Sequence, residues 1–234
     1  MPSLVIGNKN YSSWSLRPWL VLKHLGVDFD EVQLALDTES FKPQLSRYSD
    51  AGRVPVWVDG ELKIGDSLAI CEYLAESHPS LWPKDRPERA RARALVCEMH
   101  SGFTALRSEL PMNCRAHQRQ ITLSVGAHQE LQRIEQIWQQ CADASANART
   151  DAGTANNTGE DAWLFGRFGI IDAFFAPVVI RLQGYQLELS PNTQAYIRQH
   201  LDNPLLQEWI LAGKEETAIL AQDEAGIWNP NPKS

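Results

Sequence analysis

Between residues 3 and 78, the hydrophobic positions switch repeatedly between the spacing of strands and the spacing of helices. Short apolar runs and alternation are typical of strands, whereas apolar residues three and four positions apart predict helices. Gly26 ends the first helical pattern, as glycine commonly does, and Asp59-Gly60 suits a tight hairpin turn. The pattern predicts a strand, a helix, a strand, two hairpin strands and a helix, at residues 4–6, 16–25, 29–34, 54–58, 61–64 and 66–76.

This order of elements predicts an α/β, thioredoxin-like domain over residues 1–78. A β-α-β unit joins two parallel strands through a right-handed crossover, and the hairpin adds antiparallel strands to the same sheet. Three prolines fall within residues 79–87, where they prevent the preceding helix from continuing. We interpret that segment as a linker to a second domain.

Residues 88–234 have mainly helical spacing and predict an all-α second domain. Asn203 and Pro204 indicate the start of the last long helix, because a polar cap followed by proline is typical of a first turn. Residues 144–160 carry no large apolar side chain, so we predict a mobile surface loop there. The other long helices are expected at residues 89–110, 121–141 and 170–182.

The composition excludes several classes of function. The chain has 234 residues, of which 43% are hydrophobic and 22% charged, as in an ordinary globular protein. No apolar run approaches the roughly 20 residues that span a bilayer. No basic segment followed by an apolar stretch opens the chain, so we expect a cytoplasmic protein without a secretory signal. A net charge of -7 repels phosphates, which disfavours binding to nucleic acid.

The four cysteines show neither the spacing of a metal site nor that of a redox pair. They are widely separated, without a Cys-x-x-Cys pair and without histidines at metal-ligand intervals. We therefore predict no metal ion, and we expect each cysteine to pack as a small hydrophobic residue on a helix face. The residues are Cys71, Cys97, Cys114 and Cys141.

Candidate chemistry lies in the first domain, beginning with the serine-rich turn of residues 10–17 before the first predicted helix. A helix N-terminus presents free N–H groups and partial positive charge, which favour an anion and lower the pKa of a thiol. A serine hydroxyl at this point can donate to a thiolate. The same serines are also favourable helix caps, and the turn alone does not distinguish the two roles.

Two further features accompany the serine turn. Val54-Pro55 opens a strand, either as an ordinary trans proline or as a cis bond, next to backbone that can pair with an extended peptide. Asp66-Ser67 opens the next helix, either as a simple cap or as a site for the amino-acid end of a ligand. In the second case the hydroxyl and helix N–H groups suit a carboxylate, and Asp66 suits an ammonium group.

The ordered set of three features resembles the cytosolic glutathione transferases. Residues 12–17 are similar to the Ser-Ser-Cys-Ser-Trp-Arg segment of the zeta class, in which the first serine activates glutathione. Val54-Pro55 resembles the family's cis-proline, whose preceding residue pairs with the cysteinyl backbone of glutathione. Asp66-Ser67 resembles the Glu/Asp-Ser pair that binds the γ-glutamyl end.

The second half carries the same resemblance. Residues 163–177 are similar to the signature before and within the family's buried sixth helix. That helix usually starts Ser/Thr-x-x-Asp, whereas this chain has Gly169 in place of the hydroxyl residue and retains Asp172. Exchanging a capping hydroxyl for glycine costs only about a few tenths of a kcal/mol, so we expect the helix to form.

The resemblance implies attack of a bound glutathione thiolate on a small electrophile, with glutathione as co-substrate. It implies Ser12 as the catalytic position, and Ser13 or Tyr11 are alternatives within the same turn. Lys42 and Arg53 are candidates to bind the glycyl carboxylate of glutathione. The electrophile pocket is expected between the domains, lined by the first turn and by residues 106–115, with Met112, Asn113 and Arg115 as candidate lining residues.

Three rival functions remain open. One is a glutathione-dependent cis-trans isomerase of maleylacetoacetate type, in which Arg17 or Arg115 would hold substrate carboxylates. Another is a glutaredoxin-like reductase, which is disfavoured because it needs a cysteine where Ser12 stands. The third is a non-catalytic binding protein with the transferase fold. The resemblance also implies a homodimer, with Trp82 as a candidate contact.

Overall fold

A four-stranded sheet organises the first part of the chain in the computed structural model, which describes residues 1–152 (side chains through 146) and 163–228. The strand order is β2-β1-β3-β4, in which β1 pairs in parallel with β2 and antiparallel with β3. This confirms the thioredoxin-like arrangement. The elements are β1 (Ser3–Ile6), α1 (Ser13–Leu25), β2 (Asp30–Gln33), α2 (Phe41–Leu45), β3 (Val56–Asp59), β4 (Leu62–Gly65) and α3 (Ser67–Ser77).

The central strand β1 is buried on both faces, which explains its uninterrupted apolar run. Leu4 and Ile6 pack in the core that contains α1 and α3. Val5 points to the opposite face, where it packs with Leu45 of α2 and Val56 of β3. The start of α1 and the start of α3 are thereby placed at the same end of the sheet.

Helices dominate the rest of the described chain, as predicted. Helix α7 lies at the centre, packed against α1 and α4, and a single hydrophobic core continues from the first part of the chain into the second. No helix in the described ranges is long and apolar enough to cross a membrane. The elements are α4 (Arg86–Ser101), α5 (Thr104–Glu109), β5 (Arg119–Gln120), α6 (Val125–Ala152), α7 (Ile170–Gly184), α8 (Pro191–Leu201), α9 (Pro204–Glu215) and β6 (Ile227–Trp228).

The helix predicted at residues 89–110 is interrupted, and that prediction was wrong in its middle. Gly102 adopts an extended backbone and Phe103 a left-handed one, with φ of 57°. Arg107 donates to the carbonyls of His100 and Gly102, which satisfies backbone acceptors at the break. A Cβ atom at Gly102 would lie 2.7 Å from the carbonyl oxygen of Glu98, so the turn requires glycine.

The predicted boundaries of the next helix were also wrong. Helix α6 starts at Val125 rather than at residue 121, because residues 119–120 pair with β6. It continues to Ala152, so the loop predicted at residues 144–160 is helical over its first nine residues. Alanine-rich sequence forms helix without a large apolar face. Residues 153–160 lie outside the described part of the chain.

Two expectations about individual side chains are corrected. Cys71, Cys114 and Cys141 are buried, but Cys97 is exposed on α4. Burial raises the pKa of each buried thiol, that of Cys141 to about 11. Trp82 is 3% exposed and donates to Glu72, so it belongs to the core and is unavailable for a subunit contact. The domain limits at residues 78 and 88 stay a prediction.

The start of α7 shows why glycine replaces the expected hydroxyl residue. Asp172 is fully buried and accepts hydrogen bonds from the N–H groups of Gly169 and Leu164 and from the Tyr196 hydroxyl. Burial raises the pKa of Asp172 to about 7, against the effect of these donors. A Cβ atom at Gly169 would lie 2.8 Å from the carbonyl oxygen of Leu81. The close approach of the preceding segment therefore excludes any side chain at this cap.

We expect Gly169→Ala to lower the free energy of unfolding by about 1–3 kcal/mol, because backbone must move to admit the methyl group. The matched control is Gly126→Ala in α6, where the added Cβ meets its nearest neighbour at an ordinary 3.6 Å. That variant should be neutral or more stable, by up to about 1 kcal/mol. Urea unfolding of both variants measures the difference, and equal midpoints would contradict the steric explanation.

Candidate active site

A cavity of about 1000 Å³ lies where α1, the loop before β3, the start of α3 and the α4–α5 region meet. It brings together sequence features that are far apart in the chain. The predicted site residues on its wall are Tyr11, Ser12, Ser13, Arg53, Val54, Pro55, Asp66 and Ser67. The further lining residues used below are Trp14, His100, Thr104, Arg107, Ser108, Arg181 and Asp223.

The serine turn forms the N-terminus of α1, with Ser12 at the cap position. Ser12 Oγ donates to Ser15 Oγ at 2.7 Å, and Ser15 Oγ also accepts from the N–H of Gly7. Ser12 makes no side-chain capping bond to the helix backbone. Its hydroxyl can therefore exchange the bond to Ser15 for a bond to a ligand without uncapping α1. Ser13 Oγ accepts a long hydrogen bond, 3.4 Å, from Nη2 of Arg181.

The Tyr11 hydroxyl is already engaged by the C-terminal segment. It donates to Glu224 at 2.6 Å and accepts from Nη2 of Arg115 at 2.6 Å and from the N–H of Leu220. Burial and the Glu224 carboxylate raise the pKa of this phenol. Tyr11 thus holds residues 218–224 in place, and it is a poor donor to a thiolate compared with either serine.

The second feature, Val54–Pro55, contains a cis peptide bond, as the resemblance implies. It precedes β3, in which Val56 pairs with Gly65 at the end of β4. This pairing places Val54 next to the start of α3. The two motifs therefore border one continuous stretch of the cavity wall.

Asp66 and Ser67 form the most informative part of the cavity wall. Asp66 caps α3, with Oδ1 accepting from the N–H groups of Leu68 and Ala69, and its φ of 77° is unusual for a residue with a side chain. Ser67 is fully buried, and its Oγ has no hydrogen-bond partner among the residues that the structure describes. An unsatisfied buried hydroxyl costs about 1–3 kcal/mol, so this position indicates a bound polar group.

Four predicted site residues do not line the cavity. Lys42 is exposed on α2. Met112 is 1% exposed within the core. Asn113 donates to Glu224, and Arg115 donates to Tyr11 and to the carbonyls of Glu216 and Ala218. These polar groups fasten the C-terminal segment to the core, which leaves them unavailable to a substrate.

Arg17 also lies behind the cavity rather than on its surface. It is 1% exposed, and its guanidinium carbon stands 4.2 Å from the ring centre of Trp14 and 4.7 Å from that of Phe174. Burial, together with nearby Arg107 and Arg181, lowers the pKa of Arg17 to about 9. It cannot hold a substrate carboxylate directly.

The sequence predicted part of the wall contributed by the helical region, within residues 106–115, but missed its earlier residues His100 and Thr104. The residues of α4 and α5 on this wall are spaced by four, three and one positions. That spacing places residues on one face of a helix, so it could have indicated a shared surface. These residues are His100, Thr104, Arg107 and Ser108. His100 Nε2 lies 3.2 Å from Oδ2 of Asp66, which links α4 to the start of α3. Burial and two nearby arginines lower the pKa of His100, with Asp66 opposing them, so the ring is mostly neutral near pH 7.

Comparison with known proteins agrees with this geometry. Residues 11–77 match the family model described as glutathione S-transferase, N-terminal domain. A probable maleylacetoacetate isomerase of Caenorhabditis elegans is 41% identical over 97 residues, covering 40% of this chain and 44% of that protein. A zeta-class glutathione S-transferase of Euphorbia esula is 36% identical over 92 residues, covering 38% and 41%.

The chain spans less than half the length of the first curated relatives that it matches. Among solved structures, a glutathione transferase homologue from Burkholderia with bound glutathione superposes with a TM-score of 0.66 at 22% identity. The superposition covers 92% of this chain and 99% of that one. The described part of the chain, in both its sheet and its helical regions, therefore has the fold of that transferase homologue.

Proposed function

Because this chain belongs to the cytosolic glutathione transferase family, we propose that its cavity binds glutathione and that the bound thiolate attacks a small electrophile. One observation carries the proposal: Ser12, Val54–Pro55 and Asp66–Ser67 share the wall of one cavity. Glutathione combines a thiol, a peptide backbone and an amino-acid end. The three motifs offer a matching group for each of these parts.

The amino-acid end of glutathione fits the start of α3. The γ-glutamyl carboxylate would satisfy the buried Ser67 hydroxyl at the start of the helix, while Asp66 pairs with the ammonium group. The cysteinyl backbone would run along Val54 in the manner of an added strand. Arg53 borders the cavity and is the proposed partner of the glycyl carboxylate.

At the other end of the peptide, the sulfur would lie at the N-terminus of α1. The Ser12 hydroxyl donates to the sulfur, and the helix dipole and the first N–H groups favour its negative charge. The sulfur then forms a bond to the electrophilic carbon. The electron pair leaves with the displaced group or remains on the substrate, which takes a proton from water. The protein contributes proximity and charge stabilisation and forms no covalent bond.

A second candidate is a glutathione-dependent isomerase, which is favoured by the names of relatives such as the Caenorhabditis elegans protein. The same thiolate would add to a cis double bond, the resulting single bond would rotate, and elimination would return the thiolate. Assays of maleylacetoacetate isomerisation and of chloronitrobenzene conjugation, run on one preparation, distinguish the two candidates. Activity in the first assay alone would assign the isomerase.

The direct test of the proposal is calorimetric titration with glutathione, followed by turnover measurements. We expect saturable binding and a thiolate absorbance that develops at a lower pH than for free glutathione. Binding without turnover in either assay would favour the non-catalytic alternative. Absence of binding would overturn the proposal.

We expect Ser67→Ala to weaken glutathione binding about 5- to 10-fold while leaving the free energy of unfolding unchanged or raised. The reason is that the Ser67 hydroxyl has no protein partner to lose within the described residues. Calorimetry and urea unfolding measure the two effects. A destabilised variant with normal glutathione affinity would show that the hydroxyl serves folding instead.

Asp66→Asn tests the ammonium contact separately. Asparagine keeps a favourable helix cap and tolerates the left-handed backbone, so only the charge is removed. We expect the KM for glutathione to rise about 10-fold with a smaller change in kcat. An unchanged KM would remove Asp66 from the binding site.

We also propose a homodimer and a cytoplasmic location, both of which follow from the family. Multi-angle light scattering of the purified chain measures the assembly. A mass corresponding to one 26.3 kDa chain would contradict the dimer.

A further inference from the structure

We propose that Arg107 and Arg181 form a binding site for a negatively charged group of the second substrate, and that Trp14 positions Arg107 within it. This inference rests on the proposed function, since it concerns the part of the cavity beyond glutathione. The chemical class that it selects is an electrophile carrying a carboxylate.

The position of Arg181 is set by the backbone around it. Its Nη1 donates to the carbonyl oxygens of Arg107 and Leu110, which ties α7 to α5. Its Nη2 is directed to Ser13 Oγ at 3.4 Å, at the N-terminus of α1. The charged end of Arg181 therefore borders the place proposed for the glutathione sulfur, where a second substrate must approach.

Arg107 reaches the same cavity from α5 and is held by an aromatic ring. Its guanidinium carbon lies 4.5 Å from the ring centre of Trp14, while Arg17 occupies a position 4.2 Å from the same ring. A guanidinium that lies over the face of an indole is attracted to it by a cation–π interaction. Trp14 stands where the zeta-class segment has cysteine, so this support is a feature of the present chain.

The positive charge of this wall is incompletely balanced. Neither Arg107 nor Arg181 forms an ion pair with a carboxylate in the described part of the chain. Asp223 lies on the cavity and attracts Arg181 from a longer distance, and Glu130 attracts Arg107 in the same way. Burial and the mutual repulsion of the two guanidinium groups lower the pKa of Arg181 to about 10. A bound anion would relieve that repulsion.

Glutathione itself does not account for these arginines. Its two carboxylates are assigned to the start of α3 and to Arg53, on the sheet side of the cavity. The remaining negative charge of glutathione is the thiolate, for which Ser12 and the α1 N-terminus provide donors. Two arginines on the helical side therefore indicate an anionic group on the other substrate.

The test uses a matched pair of glutathione conjugates that differ in one charge. One is S-(4-carboxy-2,6-dinitrophenyl)glutathione, and the other is its methyl ester at the aryl carboxylate. Calorimetry with the full chain measures both affinities without requiring turnover. We expect the acid to bind about 10-fold more tightly than the ester, as for one charge-assisted contact.

Variants assign this preference to residues. Arg107→Met should abolish the preference for the acid, whereas Arg133→Met, which removes a surface arginine paired with Glu98, should preserve it. Trp14→Leu should reduce the preference, and Trp14→Phe, which keeps an aromatic face, should restore most of it. Rescue by phenylalanine distinguishes positioning from simple packing.

The outcomes distinguish a failure of this anion site from a failure of the proposed function. Tight binding of both conjugates with equal affinity, or a preference that survives Arg107→Met, overturns this inference and leaves the glutathione site intact. Failure to bind either conjugate or glutathione overturns the proposed function and this inference with it. A preference for the acid that is lost in Arg107→Met and kept in Arg133→Met supports this inference and the proposed function.

Discussion

Ser12→Ala is expected to lower the turnover number roughly 100-fold, the usual effect of losing one donor to a developing or resident anion. The hydroxyl belongs to the cap residue of α1 and makes no bond to the helix backbone, so its loss removes the ligand contact and the bond to Ser15 without uncapping the helix. The pKa of the bound glutathione thiol should rise toward that of a free thiol, about 8.5. At neutral pH most of the bound glutathione would then be unreactive.

Thiolate absorbance against pH, with glutathione saturating, measures the thiol pKa directly, and steady-state kinetics give the turnover number. Ser13→Ala is the matched control, because it removes a hydroxyl one position along the same turn. Tyr11→Phe is a second control, since that phenol is bonded to Glu224 and Arg115. A loss of thiolate in Ser13→Ala with none in Ser12→Ala would move the role to Ser13.

Asp172→Ala is expected to lower the free energy of unfolding by about 3 kcal/mol or more, because it leaves several buried donors without an acceptor. The carboxylate accepts from two backbone N–H groups ahead of α7 and from the Tyr196 hydroxyl. Helix α7 packs against α1 as well as α4, so a loosened α7 would also disturb the serine turn. The loss is a large fraction of the roughly 5–15 kcal/mol that stabilises a typical protein.

Two substitutions refine this prediction. Tyr196→Phe removes one donor and should cost about 1 kcal/mol. Asp172→Asn keeps the size but sets an amide N–H2 group against one of the donors, so its cost should fall between those of the other two variants. Urea midpoints compared at constant m-value measure all three. Equal stability of Asp172→Ala and the parent chain would contradict the role given to this carboxylate.

Six of the seven elements of residues 1–78 could be predicted because their hydrophobic periods report which faces are buried, whereas the short helix α2 (Phe41–Leu45) was missed. The run Leu4-Val5-Ile6 is apolar throughout because β1 is covered on both sides, and the spacing in α1 follows its contact with the core. Gly26 ends α1 in the left-handed conformation that glycine favours. Burial of one face and the end of a helix each depend on residues that are close in the chain, so the hydrophobic pattern indicates them.

The break at Gly102 and Phe103 could not be predicted in this way. Helical spacing continues through it, because His100, Thr104 and Arg107 face the same cavity from both sides of the break. The interruption depends on Arg107 binding two backbone carbonyls and on a close contact with the Glu98 carbonyl. Neither interaction changes the order of apolar and polar residues.

Within the candidate site, the proposed glutathione half could be predicted from the sequence, whereas the second-substrate half was predicted only in part, within residues 106–115. The serine turn, Val54–Pro55 and Asp66–Ser67 each occupy a few adjacent residues at the start of an element, where the type of residue indicates the chemistry. The predicted pocket residues Met112, Asn113 and Arg115 are polar or adaptable side chains near a helix end, and they do not line the cavity. Met112 is buried in the core, and the partners of Asn113 and Arg115 lie in residues 216–224, about a hundred positions away.

The sequence by itself determined the elements of the sheet, the three motifs at the ends of those elements and the family to which they are similar. Only the tertiary structure decided that the Ser67 hydroxyl lacks a partner among the described residues, which residues line the far wall and which polar side chains are already bonded. Ser13 and Arg181 illustrate the reason: they meet at 3.4 Å although 168 positions separate them. Such a contact depends on how α7 packs against α1, and no local pattern of residues records that packing.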